Sequence, residues 1–174
     1  MKKAMCPRWY YEDFSVGQKG STYSRLITEA DVVNYAGISG DFHPAHVGGE
    51  VDRDFFTERI AHGLLGTSIA IGLLSRDLPM ITGTCSGAVA ELEITWQFKA
   101  PLFIGESIHV EWRVIEKRKT RKPDQGIICH CLSVVNQEGR ILQKGRLVQL
   151  FKKRGKSRSI ARLNAFGAVV DRKR

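Results

Sequence analysis

The chain predicts an α+β fold, a long helix packed on an antiparallel sheet, and three features of the sequence carry that expectation. Residues 61–74 are apolar nearly all round, which is the pattern of a helix buried on most sides. Beyond Pro79 the period changes to two: Ala90, Leu92, Ile94, Trp96 and Phe98 alternate with Val89, Glu91, Glu93, Thr95, Gln97 and Lys99, as in a half-buried strand. Ile108, Val110, Trp112 and Val114 repeat the alternation. Residues 126–136 and 140–151 follow, joined by Gln137-Glu138-Gly139, which is hairpin-turn chemistry.

Taken from the start, Trp9, Tyr10, Tyr11 and Phe14 pin an irregular N-terminal segment to the body. Residues 18–27 hold enough Thr, Tyr, Leu and Ile for a first strand. Thr28 then reads as a helix N-cap, with Asp31 as its capping-box partner and well placed for the helix dipole. Val32, Val33, Tyr35 and Ala36 give this helix an apolar stripe. It should stop within residues 37–40 and deliver Asp41 just beyond its end. Residues 51–59 suggest a short helix or turn around Phe55 and Phe56. In the long helix Gly63, Gly66 and Gly72 lower the propensity, and close packing on the sheet is the expected compensation. Residues 117–125 read as a basic, flexible linker between strands.

A length of 174 residues fits one domain, residues 1–152, followed by a basic tail, 153–174. With 43% hydrophobic and 26% charged residues the composition is that of a soluble globular protein. The longest apolar stretch, residues 63–74, is too short to span a bilayer. The N-terminal lysines are followed by no apolar run, so neither a secretory leader nor a membrane span is expected, and the cytoplasm is the expected location. Cys6, Cys85, Cys129 and Cys131 lack C-x-x-C spacing. They read as reduced buried thiols, with Cys129 and Cys131 on one strand face, and no metal is implied. The net charge of +9 is uneven, since residues 151–174 hold nine Lys or Arg against Asp171. A near-neutral domain with a basic appendage, lacking base-reading or stacking motifs, speaks against specific nucleic-acid binding.

The chemistry concentrates in residues 35–46, Tyr-Ala-Gly-Ile-Ser-Gly-Asp-Phe-His-Pro-Ala-His. Asp41 and His46 lie five apart, with Gly40 to let the backbone bend and Pro44 to stiffen it. A carboxylate and an imidazole held on a rigid loop suit proton transfer. The competing reading is a surface loop in which Asp41 caps a turn and the histidines are solvated.

Residues 39–46 resemble the hydratase motif of the MaoC-like dehydratases, the (R)-specific enoyl-CoA hydratase family, which reads Gly-Asp-x-Asn-Pro-x-His after an upstream aromatic. Tyr35 takes the aromatic place, and Asp41, Pro44 and His46 match; His43 stands where the family usually has Asn. The likeness runs from about Phe14 to Lys152 through Ile60-Ala61-His62-Gly63 and residues 98–106. It implies a single hot-dog fold, a long central helix wrapped by a curved antiparallel sheet. Partners paired edge to edge as a homodimer or higher oligomer also follow from the resemblance.

Hydrating a 2-enoyl thioester needs a base for water, an acid for the α-carbon, and a holder for charge on the thioester oxygen. The resemblance gives the first two to Asp41 and His46 acting on one water. It gives the third to the amide of Gly63 at the start of the buried helix, where N–H groups are free and the dipole is positive. Gly63 could instead serve only close packing. His43 and Tyr35 are assigned to the substrate-binding surroundings, and His62 to the scaffold. The substrate expected is an acyl-CoA or acyl-carrier thioester, hydrated or formed by dehydration of an (R)-3-hydroxyacyl thioester, with no cofactor. Two departures stand against this: His43, and Ile71 where such hydratases often carry Ser. The alternatives are a non-catalytic acyl-thioester-binding hot-dog protein and a hot-dog thioesterase. For the tail, solvated sequence leads, followed by an attractor for coenzyme A phosphates and then by contact with nucleic acid or an anionic membrane.

Overall fold

The structure is a computed structural model and describes residues 8–48, 58–78, 81–82 and 85–154. The N-terminal segment enters through a 3-10 turn, Tyr11–Asp13, and buries Phe14 against the rings of Trp9 and Phe151. Residues 18–27, expected as one strand, form two short ones, β1 (Lys19–Ser21) and β2 (Arg25–Leu26), both paired with the same neighbour. Between them Thr22 turns inward and exchanges hydrogen bonds with Val110: its N–H donates to Val110 O and its hydroxyl accepts from Val110 N–H.

Helix α1 (Glu29–Ser39) begins as the sequence predicts. Thr28 and Asp31 close a full capping box, and Asp31 also pairs with Arg25. The stripe is narrower than expected: Val32 and Ala36 are buried, Tyr35 is half-buried, and Val33 faces solvent. A single turn, α2 (Pro44–Val47), follows. The short helix or turn expected around Phe55 and Phe56 lies outside the described residues.

Helix α3 (Gly63–Asp77) runs one turn further than its apolar pattern suggests and buries Leu65, Ala70, Leu73 and Leu74. No described helix is long and apolar enough to cross a membrane. The helix packs on a sheet built by β1, β2 and four long strands, β3 (Ala88–Phe98), β4 (Ser107–Lys119), β5 (Gln125–Asn136) and β6 (Ile141–Lys152). All pairings are antiparallel in the order β1-β4-β5-β6-β3, with β2 also on β4. Ile108, Val110, Trp112 and Val114 on β4, and Ile128, Leu132 and Val134 on β5, supply the inner face. A central helix wrapped by an antiparallel sheet in this order is the hot-dog fold.

Three expectations need correction. Strand β4 extends to Lys119, so cross-strand pairing consumes part of the supposed linker and leaves a short β4–β5 connection. Strand β3 alternates in sequence but is not half-buried: it forms the sheet edge, and Leu92, Ile94 and Phe98 are exposed. Cys85 is disulfide-bonded, whereas Cys129 and Cys131 are free thiols. Spacing between neighbouring cysteines carries no information about pairing across the fold.

Candidate active site

The loop after α1 is shaped by short-range hydrogen bonds that its sequence dictates. Gly40, at φ 75°, ends the helix in the left-handed region, which favours glycine. Ser39 Oγ donates to Tyr35 O at 2.8 Å and accepts the Asp41 N–H at 3.2 Å. One Asp41 oxygen, Oδ1, accepts the His43 N–H at 3.2 Å, forming an Asx turn that holds the carboxylate against its own loop. His43 then caps α2: its Nδ1 accepts the Ala45 N–H at 3.2 Å, and Pro44 takes the first helical position. A ring nitrogen thus does the capping work that an Asn carbonyl would do.

His46 sits on α2, its side chain 14% exposed, and donates Nδ1–H to Ile60 O at 2.8 Å. A carbonyl can only accept, so this bond leaves the lone pair of the neutral ring on Nε2. That nitrogen is 3.8 Å from Asp41 Oδ2. The gap is too long for a direct hydrogen bond and short enough for one water to touch both groups. The Asp41 side chain is 51% exposed, so the pair opens to solvent.

The segment before α3 is fastened on two sides, by Ile60 N–H to Ala45 O at 3.0 Å and by Ala61 N–H to Leu102 O at 2.7 Å. His62, at the N-cap position and 4% exposed, donates Nε2–H to Asp41 O at 2.9 Å. Its ring stacks on that of His46 with centroids 3.8 Å apart, and Tyr35 approaches its ring at 5.1 Å. Gly63 follows as the first residue of α3, among the amides that have no acceptor within a helix. A Cβ there would lie 2.9 Å from the Phe98 ring, so glycine at this place also satisfies a packing demand. Behind it the buried Gln143 donates Nε2–H to Gly63 O at 3.0 Å, while its Oε1 accepts from Trp96 Nε1 at 2.9 Å.

Every residue singled out from sequence therefore lies in one neighbourhood. Asp41 and His46 face each other, Gly63 joins them through His62, Tyr35 lies against His62, and the His43 ring is 6.2 Å from that of His46. The structure adds detail for one residue that the sequence reading named and one that it missed. His62 was assigned to the scaffold, yet it touches both members of the pair; its signal was its place next to Gly63. Gln143 carries no sequence signal, being one polar residue among several in its strand. Ile71 is half-buried on α3 and packs against the core. Asp41, His46 and His62 also offer donor atoms within 4.8 Å of one another. However, His62 Nε2–H is committed to Asp41 O, and the two rings lie only 27° from parallel, whereas metal ligands converge on the ion.

Residues 13–131 match the family described as MaoC like domain. The chain is 33% identical over 123 residues to a protein named 3-hydroxybutyryl-CoA dehydratase from Methylorubrum extorquens, covering 70% of this chain and 73% of that one. It is 30% identical over 138 residues to an (R)-specific enoyl-CoA hydratase of Aeromonas caviae, covering 79% and 95%. A relative of the same name from Rhodospirillum rubrum is 35% identical over 100 residues, covering 57% of this chain and 65% of that protein. Among solved structures, the A. caviae (R)-hydratase superposes with a TM-score of 0.60 at 30% identity, covering 80% of this chain and 98% of that one. The match spans more than half of the sequence and includes both the acid–imidazole loop and the start of α3, so this chain belongs to the MaoC-like dehydratase family.

Proposed function

We propose that this protein adds water across the double bond of 2-enoyl thioesters, and in reverse dehydrates (R)-3-hydroxyacyl thioesters. The observation that carries the proposal is the pairing of Asp41 Oδ2 with the lone-pair nitrogen of His46, 3.8 Å apart beside the N-terminus of α3. A water between them is polarised by both groups. As its oxygen bonds to the β-carbon, the pair takes one of its protons, and one proton is returned to the α-carbon. In the intermediate, charge on the thioester oxygen is stabilised by the Gly63 amide and the helix dipole. The names of the relatives support the same chemistry, and His43 Nε2, left over by the capping bond, offers a polar contact to substrate.

The substrate class is an acyl-CoA or acyl-carrier thioester, and no cofactor is required. A second copy of the chain pairing along β3 would cover Leu92, Ile94 and Phe98, apolar residues on an open sheet edge. The deciding experiment follows the loss of enoyl-thioester absorbance with crotonyl-CoA and longer homologues. Turnover to the (R)-3-hydroxyacyl product is expected. Saturable acyl-CoA binding without turnover would replace the hydratase by a binding protein, and release of free thiol would replace it by a thioesterase.

A further inference from the structure

We infer that His62 is a positioning residue that ties the two halves of the site together. The inference deepens the hydratase reading and rests on it for its kinetic test. His62 Nε2 lies 2.9 Å from Asp41 O, and a carbonyl accepts only, so this nitrogen carries the proton. Its Nδ1 is buried with no hydrogen-bond partner. A fully buried ring with one nitrogen bonded and the other bare is an uncommon arrangement, because unpaired polar atoms cost stability. A site that keeps such a ring against a hydrophobic alternative uses the bond it does make.

That bond has a specific consequence. Asp41 follows Gly40 on an exposed loop and its carboxylate is half exposed; its N–H is held locally by Ser39 Oγ, and its carbonyl needs an anchor across the site. His62 supplies that anchor from a residue 4% exposed, and it is the immediate neighbour of Gly63. The groups facing the ring are Asp41 Oδ2 at 4.0 Å, the His46 ring stacked at 3.8 Å, and the Tyr35 ring at 5.1 Å. One side chain therefore sets the height of the carboxylate, supports the face of the catalytic imidazole, and adjoins the oxyanion amide. Its one ring donor is spent on Asp41 O, so it acts through Asp41 and His46. Its contribution is to register Asp41 and His46 against Gly63.

The test compares His62→Phe, which keeps a flat ring under His46 but loses the donor, with His62→Gln, which keeps an N–H of similar reach. A misplacement of the carboxylate by a fraction of an ångström lowers kcat by roughly 10- to 100-fold. His62→Phe should show that loss, with KM within about twofold of wild type because the binding surface is untouched. His62→Gln should recover most of the lost kcat. Wild-type kcat in His62→Phe, or equal losses in both variants, would overturn the inference. If wild-type protein hydrates no enoyl thioester, the hydratase reading fails separately, and the strap is read from the imidazole nitrogen spectrum of the wild type. There the Nε2–H tautomer of His62 is expected; the Nδ1–H tautomer would refute the bond.

Discussion

Two regions of this molecule hold buried or half-buried imidazoles, and they use them in opposite ways. At the mouth of α3, His46 and His62 each donate one ring proton to a backbone carbonyl, and His46 turns its remaining lone pair toward a carboxylate. On the inner face of β5, His130 is completely buried, with the Phe14 ring edge-on at 5.8 Å and neither ring nitrogen hydrogen-bonded. Burial alone pushes its pKa down to about 4. At α3 a carbonyl fixes the tautomer of His46 and a carboxylate faces it, which is the arrangement the proposed hydration uses. Without those partners His130 is a neutral aromatic whose charged form the fold rejects.

The comparison breaks most visibly at Asp41. Asp41→Asn keeps the volume and the Asx turn but removes the proton acceptor, and kcat for crotonyl-CoA hydration should fall by roughly 1,000-fold or more with the thermal midpoint unchanged. Unchanged turnover would end the catalytic assignment. His46→Ala should be comparably inactive, and the double variant should be scarcely worse than either single one, because both groups serve one water. Losses that multiply would show two independent roles.

His130 sharpens the other side. Between pH 6.5 and about 4 the unfolded chain binds a proton at this residue and the folded chain does not. Stability is therefore held above pH 6.5 and declines as the pH falls through this window, by up to ~3 kcal/mol. Denaturant titrations of wild type and His130→Phe should show this decline only in the wild type, with neutral-pH kcat alike in both. A parallel decline in the variant would place the acid sensitivity elsewhere.

Smaller effects are expected at the periphery. Ile94→Lys on the edge strand should shift the light-scattering mass toward a monomer if a second copy covers β3; an unchanged dimer would locate the interface elsewhere. For the tail, the truncation point follows from the structure. Phe151 is core, Lys153 N–H donates to Asp124 O, and Arg154 pairs with Asp13, so the deletion begins at residue 155. Residues 155–174 carry six basic groups against one acid. Their loss should leave kcat unchanged and raise KM about twofold at low salt, an effect that salt erases if the tail attracts coenzyme A phosphates. A salt-independent fall in kcat would mean that these residues support the site.

Much of the architecture was legible because it rests on local rules. The Thr28–Asp31 capping box, the stop at Gly40, the apolar run of α3, the two-residue period of β4 and the turn between β5 and β6 each follow from interactions within a few residues of sequence. The acid–imidazole loop was legible for the same reason: Ser39, Gly40, His43 and Pro44 shape it by bonds spanning four residues or fewer.

What the sequence could not determine depends on partners far apart in the chain. Strand β3 has the same alternation as β4, and only its place at the sheet edge leaves Leu92, Ile94 and Phe98 uncovered. Of the glycines in α3, Gly63 meets Phe98 and Gly66 meets Gln143, while Gly72 meets nothing within 4 Å. Period and propensity treat these positions alike; the neighbours supplied by the fold tell them apart. The site divides in the same way. The sequence singles out Tyr35, Asp41, His43, His46 and Gly63 as candidates. Only tertiary structure sets His46 Nδ1 on Ile60 O and His62 Nε2 on Asp41 O, contacts 14 and 21 residues apart in the chain. The proton on an imidazole goes to the nitrogen that faces an acceptor, and that acceptor is placed by folding.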